Sequence, residues 1–195
     1  MRARPDVSPG EGRWRVRWFV VCLVVAVLAG CSSAERGAGT AASSAEAFTT
    51  TDVAWLQLAD ALHARVRPLL ELAPRRAASR SLAALAVRLG KEHEAGRGRL
   101  RALLAVAGIT GENPHLQHDM PGMPTAADLR ALARLRDGVF DRRFAELLRA
   151  HLRQLVLVAN GERDSGGAAA ARVLAGTMVR EHSDDLGELD RAVSA

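Results

Sequence analysis

The side chains in this sequence that could do chemistry are mainly histidines and methionines, and they fall into two groups. The first group occupies positions near the middles of predicted helices: His63, Glu92 or His93, His151, and Glu181 or His182. An antiparallel bundle could bring these positions together at one level, where imidazole and carboxylate donors would suit zinc, copper or iron. The alternative is that they are hydrogen-bonded core histidines and solvated acids that bind no metal.

The second group lies in a Pro- and Gly-rich segment between predicted helices. It contains His115, His118, Met120 and Met123, which place two imidazoles and two thioethers within nine residues. These soft donors suit copper, especially Cu(I), and a loop would bind and release the ion readily. The alternative is a structural Pro-Gly turn whose methionines plug one end of the bundle.

Known catalytic motifs are missing from the sequence, so we expect no enzyme. It has no glycine-flanked serine elbow, no phosphate loop and no His-Glu-x-x-His zinc motif. The Glu-x-x-His pattern of di-iron bundles is absent, although Asp60 and His63 show that spacing once. An oxidase-like di-metal enzyme is therefore the third hypothesis, after metal binding and a metal-free bundle.

The elements that must position these side chains are helices. Apolar residues recur at steps of three and four from about Thr51 onward, and no window of two-residue alternation competes. The predicted boundaries are a Thr51-Asp52 cap, a kink or an early helix end at Pro68, a turn at 74–79, and a C-terminal cap at Gly108. Further along, they are a capping box at Thr125 and Asp128, a break at Asp137-Gly138, and an end at Asn160-Gly161. The domain is predicted to be all α.

The sequence also matches itself when it is shifted by 89 residues. Asp52 falls on Asp141, Glu92-His93 on Glu181-His182, and Gly98 on Gly187. We interpret the match as two copies of a helical hairpin, packed as an antiparallel four-helix bundle with a long crossover that contains a short helix.

The stretch HDMPGMPTAADLRALARLRDGVFDRRFAELLRAHL, from His118 to Leu152, resembles the central signature of the bacterial proteins grouped as domain of unknown function 305. In that signature a His/Met-Pro-Gly-Met turn leads into a helix, a Phe-Asp pair and a helix with a His-His pair. The resemblance extends from about Phe48 onward. It implies a ferritin-like helical bundle, often secreted or lipidated, that binds metal, copper in particular, through the His-His pairs and the Met-rich turn.

This chain departs from the family pattern at the residues that would carry metal. Each adjacent His-His pair is half lost, because the positions contain Leu62-His63 in one half and His151-Leu152 in the other. The glutamate that follows each pair in the family is Ala64 here in the first half and Arg153 in the second. These departures favour a degenerate bundle that acts as a protein-interaction or envelope-structural module, whereas the intact His/Met loop favours metal binding.

The first thirty residues have the pattern of a lipoprotein signal peptide. Five arginines precede a 12-residue apolar run, Trp18 to Ala29, too short to span a bilayer at about 20 residues. The run ends in Leu28-Ala29-Gly30-Cys31, which resembles the lipobox, where the cysteine is acylated and the chain is cut before it. The prediction is a signal peptide over 1–30, a flexible Ser/Thr/Gly/Ala tether over 31–50 and a helical domain over 51–195.

Cleavage would change the charge and thiol content of the chain. The overall charge of +5 becomes +2, with 22 basic and 20 acidic residues, and Cys31 is the one cysteine that remains. A nearly balanced charge and few aromatic residues argue against nucleic-acid binding. We expect a lipoprotein anchored on the outer face of the cell membrane, with copper as its candidate cofactor and an unidentified protein partner.

Overall fold

The computed structural model describes residues 47–194, which form helices joined by loops. The predicted signal peptide and most of the predicted tether, with Cys31, lie outside these residues. The helices are α1 (Thr50–Arg65), α2 (Arg67–Arg76), α3 (Arg80–Val106), α4 (Ala126–Leu132), α5 (Asp137–Ser165) and α6 (Ala169–Ser194), with a 3₁₀ turn at Pro114–Gln117. The predicted all-α fold is confirmed.

The long helices pair as two hairpins that make a ferritin-like four-helix bundle. Broken helix α1–α2 packs against α3, and α5 packs against α6. The hairpins meet because α1 contacts α5 and α3 contacts α6. Residues 107–136 form the long crossover between the hairpins, and it contains the predicted short helix α4.

Several predicted helix ends are confirmed in detail. Pro68 lies in the first turn of α2, where the chain breaks between α1 and α2. After α3, Gly108 has φ +76 and its N–H donates to the carbonyl of Ala105. The N–H of Ile109 reaches back to the Leu104 carbonyl, so the two bonds form a Schellman cap. Thr125 and Asp128 make the predicted capping box of α4.

Other predicted boundaries are wrong by a few residues. The N-cap of α1 is Thr49 instead of Thr51, and Asp52 completes its capping box. Helix α2 continues through Pro74 to Arg76, so the predicted turn at 74–79 is shorter. Helix α5 begins at Asp137, which has φ +53, and runs past Asn160-Gly161 to Ser165 because its buried face continues to Glu162.

The repeat appears in the structure as a crosswise exchange of caps. The carboxylate of Asp52 accepts hydrogen bonds from the backbone N–H groups of Gly167 and Ala168, in the turn between α5 and α6. Its counterpart Asp141 accepts from Ala78 and Ser79, in the turn between α2 and α3. Each hairpin therefore closes the other hairpin's turn, at positions related by the same 89-residue shift.

A buried carboxyl pair lies beside one of these turns. Asp52 and Glu162 are both almost fully buried. Burial alone would raise the pKa of Asp52, but hydrogen bonds with Thr49, Glu162 and the backbone of Ala168 hold it below its usual range. Burial and the neighbouring Asp52 raise the pKa of Glu162 to about 7. Glu162 is thus a buried acid that keeps its proton in mildly acidic solution.

Two apolar clusters fill the bundle. One cluster includes Leu89 on α3 and Leu189 on α6, and the other includes Leu100 and Met178 on the same two helices. The level between them contains the buried histidines described below. Among residues 47–194, no helix combines the length and apolar composition needed to cross a membrane.

Candidate metal centre

Four histidines meet in the middle of the bundle, one from each long helix. We call His63, His93, His151 and His182 the histidine cluster. The ring centroid of His93 lies 4.6 Å from that of His63, 5.5 Å from that of His151 and 5.6 Å from that of His182. The centroids of His63 and His182 are 5.1 Å apart. The helices therefore bring the four predicted imidazoles to one level.

Burial keeps the imidazoles of His63, His93 and His151 neutral. All four residues are at most 5% exposed. Burial and the neighbouring histidines lower the pKa of His63 and His93 well below the usual value, and for His63 the positive charge of Arg99 adds to the effect. Burial also lowers the pKa of His151, to about 3. Neutral imidazole is the form that binds metal ions.

Two of the rings are oriented by partners on their Nδ1 atoms. His151 Nδ1 donates to the carbonyl oxygen of Gly122 at 3.0 Å, and His182 Nδ1 lies 3.3 Å from Oδ2 of Asp185. Asp185 is itself paired with Arg88. With the proton on Nδ1, each ring presents a lone pair on Nε2. In metal-binding histidines, the ring nitrogen that does not bind the metal usually donates to a carbonyl or a carboxylate in the same way.

The other two rings bond to each other. Nδ1 of His63 and Nδ1 of His93 are 2.8 Å apart, so one ring donates and the other accepts. Gly96, one turn after His93, makes room for this arrangement, since an added Cβ there would lie 2.8 Å from Cε1 of His63. Any larger residue at position 96 would displace the His63 ring.

The Nε2 atoms of all four histidines are buried and have no hydrogen-bond partner within residues 47–194. An unsatisfied buried polar atom typically costs about 1–3 kcal/mol, and native proteins contain few of them. Four such atoms at one level of a helical core are therefore unusual. The cluster lacks a partner that would satisfy these nitrogens.

The spacing of the rings is compatible with a shared ion, although the donor atoms do not already surround one. Four imidazoles bound to one ion at about 2.0 Å would have centroids about 5 Å apart. Within the described residues, however, no three His, Cys, Asp or Glu side chains form a ready-made ion site. In the His63–His93 bond, the ring that accepts on Nδ1 carries its proton on Nε2, so that ring must change tautomer before its Nε2 can bind an ion.

The predicted glutamates lie outside the cluster. Glu92 is exposed and pairs with Arg88, one turn earlier in α3. Glu181 makes a bidentate ion pair with Arg99, with distances of 2.9 and 2.7 Å. Of the alternatives at these positions, His93 and His182 face the core. Asp60 is also engaged elsewhere, since it accepts from Arg97 and Arg101.

The His/Met loop does not gather its four donors in one place. His115 and His118 have ring centroids 6.2 Å apart, and His118 is exposed. Met123 is 5% exposed and belongs to an apolar cluster, against which Met120 also packs. The two methionines therefore pack against the bundle, as in the alternative in which the loop is a structural turn. The same loop orients His151 through Gly122, whose φ is +78.

The sequence analysis missed the residues that support the cluster. One of them is Asp185, which is 6% exposed and contacts His182. The three-residue spacing from His182 was a signal for this contact. Gly96 has the same spacing from His93. Gly122 could not be found by spacing, since it reaches His151 from a distant loop.

Comparison with known proteins gives one family. The family described as "Domain of unknown function (DUF305)" matches residues 52–193. A crystal structure of a DUF305 fragment from Deinococcus radiodurans superposes with a TM-score of 0.67 at 19% identity, over 76% of this chain and 98% of that one. No curated protein matches the chain.

A second crystal structure has the same fold. It is described as "putative secreted protein DUF305" from Streptomyces coelicolor. It superposes with a TM-score of 0.62 at 19% identity, over 71% of this chain and 88% of that one. At this identity the two structures establish a shared helical bundle.

Proposed function

The chain belongs to the DUF305 family, and on that premise we propose that it binds one transition-metal ion at the histidine cluster. The observation that carries the proposal is the set of four buried Nε2 atoms without hydrogen-bond partners. An ion bound by these nitrogens would satisfy them together. The Nδ1 contacts of His151 and His182 support the proposal, because they hold one nitrogen of each ring and leave Nε2 for an ion.

The donor set favours copper among the metals that imidazole binds. Sites of a given nitrogen donor set bind divalent ions more tightly from Mn²⁺ to Cu²⁺, and Zn²⁺ binds less tightly than Cu²⁺. Since both methionines of the loop pack against apolar residues, thioethers are not part of the proposed site. We therefore propose that the site prefers Cu²⁺ and binds Zn²⁺ more weakly. Without the thioethers, the donor set does not favour Cu(I).

The proposed role is binding and not catalysis. The cluster consists of four imidazoles, without the bridging carboxylates that a di-iron oxidase places between its ions. Glu92, Glu94 and Glu181, the carboxylates adjacent in sequence to its histidines, are held in ion pairs with arginines. A single metal ion that is coordinated only by nitrogen atoms is suited to storage or transfer of the metal.

Calorimetric titration of the full-length chain with Cu²⁺ and Zn²⁺ tests the proposal. We expect about one ion per chain and tighter binding of Cu²⁺. Replacing His151 and His182 by Leu should abolish binding, whereas replacing His115 and His118 by Ala, a matched pair on the crossover, should leave it intact. The opposite pattern would move the site to the loop and overturn the cluster proposal.

The metal-free bundle remains the rival, and one observation favours it. His63 and His93 are bonded to each other, so part of the cluster is satisfied without an ion. In that case neither metal binds to the wild-type chain. The bundle would then act as an interaction or envelope-structural module.

We also propose that the chain works outside the cytoplasm as a lipid-anchored protein. The Streptomyces relative's description as secreted and the Leu28-Ala29-Gly30-Cys31 pattern support this location. A thioether-linked diacyl anchor supplies the two acyl chains that stable membrane attachment requires. Cys31→Ser should move the protein from the membrane fraction to the soluble fraction. Unchanged membrane retention would contradict a lipid anchor.

A further inference from the structure

A pocket of about 510 Å³ lies between α3 and α6 and reaches the histidine cluster from the surface. His93 and His182 form part of its wall. Both are almost fully buried in the bundle, so the pocket brings solvent closest to the cluster at these two rings. The other two histidines do not line it.

The wall of this pocket is strongly acidic. Besides Asp185, which holds His182, it contains Glu92, Glu181, Asp184 and Glu188. Two arginines, Arg88 and Arg99, face these five carboxylates, which leaves an excess of negative charge around the opening. A narrow cleft lined by one sign of charge concentrates ions of the opposite sign and speeds their association.

We propose that this acidic pocket is the route by which a metal cation enters and leaves the cluster, and that the Arg99–Glu181 ion pair gates it. The inference rests on the metal site proposed above. Arg99 and Glu181 project from α3 and α6 and join across the pocket with two hydrogen bonds. Both side chains are close to 40% exposed, so the pair can open without unfolding the core.

Charge gives the two halves of the gate opposite effects. The guanidinium of Arg99 lines the pocket, and its positive charge opposes an entering cation. Glu181 neutralises that charge. Removing Arg99 should therefore speed cation entry, whereas removing Glu181 should leave the arginine unpaired and slow it.

Stopped-flow kinetics of Zn²⁺ binding to the full-length chain, followed with a competing chromophoric chelator, tests the route. We expect Arg99→Gln to raise the association rate at low ionic strength by about threefold or more, and Glu181→Gln to lower it by a similar factor. Added salt should reduce both effects.

The matched controls are Arg149→Gln and Asp190→Asn. These residues form an ion pair between α5 and α6 that does not line the pocket, and the substitutions make the same changes in net charge. Rates that change equally in the control and gate variants would overturn the route but leave the metal site standing. A wild-type chain that binds neither Cu²⁺ nor Zn²⁺ in calorimetry would overturn both proposals.

Discussion

The histidine cluster predicts that removing a bonded pair of polar residues from the core will abolish metal binding at little cost in stability. The perturbation is the double substitution His63→Leu and His93→Leu. It removes both partners of the 2.8 Å Nδ1–Nδ1 bond and two of the four unpaired Nε2 atoms. Replacing both members of a hydrogen-bonded pair strands neither of them.

The expected change in the free energy of unfolding follows from these contacts. Removing two unsatisfied nitrogens gains about 2–6 kcal/mol, and losing one hydrogen bond costs about 0.5–1.5 kcal/mol. A branched leucine beside Gly96, against which the flat His63 ring packs, adds an overpacking cost of about 1–3 kcal/mol. The metal-free variant should therefore be about as stable as the metal-free wild type, or more stable.

The assay is thermal unfolding with and without excess Cu²⁺ at pH 7.5. An ion present at 100 to 1,000 times its dissociation constant stabilises the native state by about 2.7–4.1 kcal/mol. For a domain of this size each kcal/mol shifts Tm by about 2–4 °C, so the wild type should gain about 5–15 °C. The double variant should gain nothing.

Two results would refute this reasoning. The first is a free energy of unfolding that is more than about 3 kcal/mol lower in the metal-free double variant than in the metal-free wild type. A loss of this size is expected when hydrogen-bond partners are left unpaired, so the cluster would be a polar core that is satisfied without an ion. If the double variant keeps the full Cu²⁺-dependent gain in Tm, the ion binds elsewhere in the chain.

Three further predictions concern the surroundings of the cluster and the ends of the bundle. Gly96→Ala should push the His63 ring aside and weaken Cu²⁺ binding in calorimetry by about tenfold, as loss of a supporting residue typically does. Asp52→Ala should lower the free energy of chemical unfolding by about 3 kcal/mol, but Asp141→Ala by only about 1 kcal/mol, because Asp52 is fully buried and Asp141 is partly exposed; equal losses would contradict this difference. Protonated Glu162 contributes stability that is complete below pH 4.5 and is lost as pH rises through about 7. The free energy of unfolding of Glu162→Gln, measured in urea, should therefore exceed that of the wild type by about 2–3 kcal/mol at pH 8 and equal it near pH 4.5.

The sequence predicted the helices and their pairing because those features are periodic and local. Apolar spacing gave the long helices, and the 89-residue match gave the hairpins whose turns Asp52 and Asp141 close. Helix ends were predicted where one residue type determines the geometry, as at Gly108, which has φ +76. The predicted end of α5 at Asn160-Gly161 was wrong, because the tertiary packing of Glu162 and its neighbours outweighs the weak helix propensity of Asn-Gly.

The candidate site was predicted in composition but not in geometry. Helical spacing offered Glu92 or His93 and Glu181 or His182, and only packing against the other hairpin selects the histidines. The contact between His151 and the Gly122 carbonyl depends on how the crossover folds back, which no local pattern encodes. The pocket at the Arg99–Glu181 pair likewise requires the relative placement of α3 and α6.

The incomplete repeat explains why the cluster has two unlike halves. His93 and His182 are equivalent under the 89-residue shift, but His63 and His151 are one position out of register, and each takes a different partner. His151 and His182 are held by a carbonyl and a carboxylate with Nε2 free, whereas His63 and His93 hold each other. An arriving ion would therefore find two prepared ligands, His182 in the pocket wall and His151 inside the cluster. It would recruit the second pair by breaking one hydrogen bond, a net cost of about 0.5–1.5 kcal/mol that is small beside the coordination it allows.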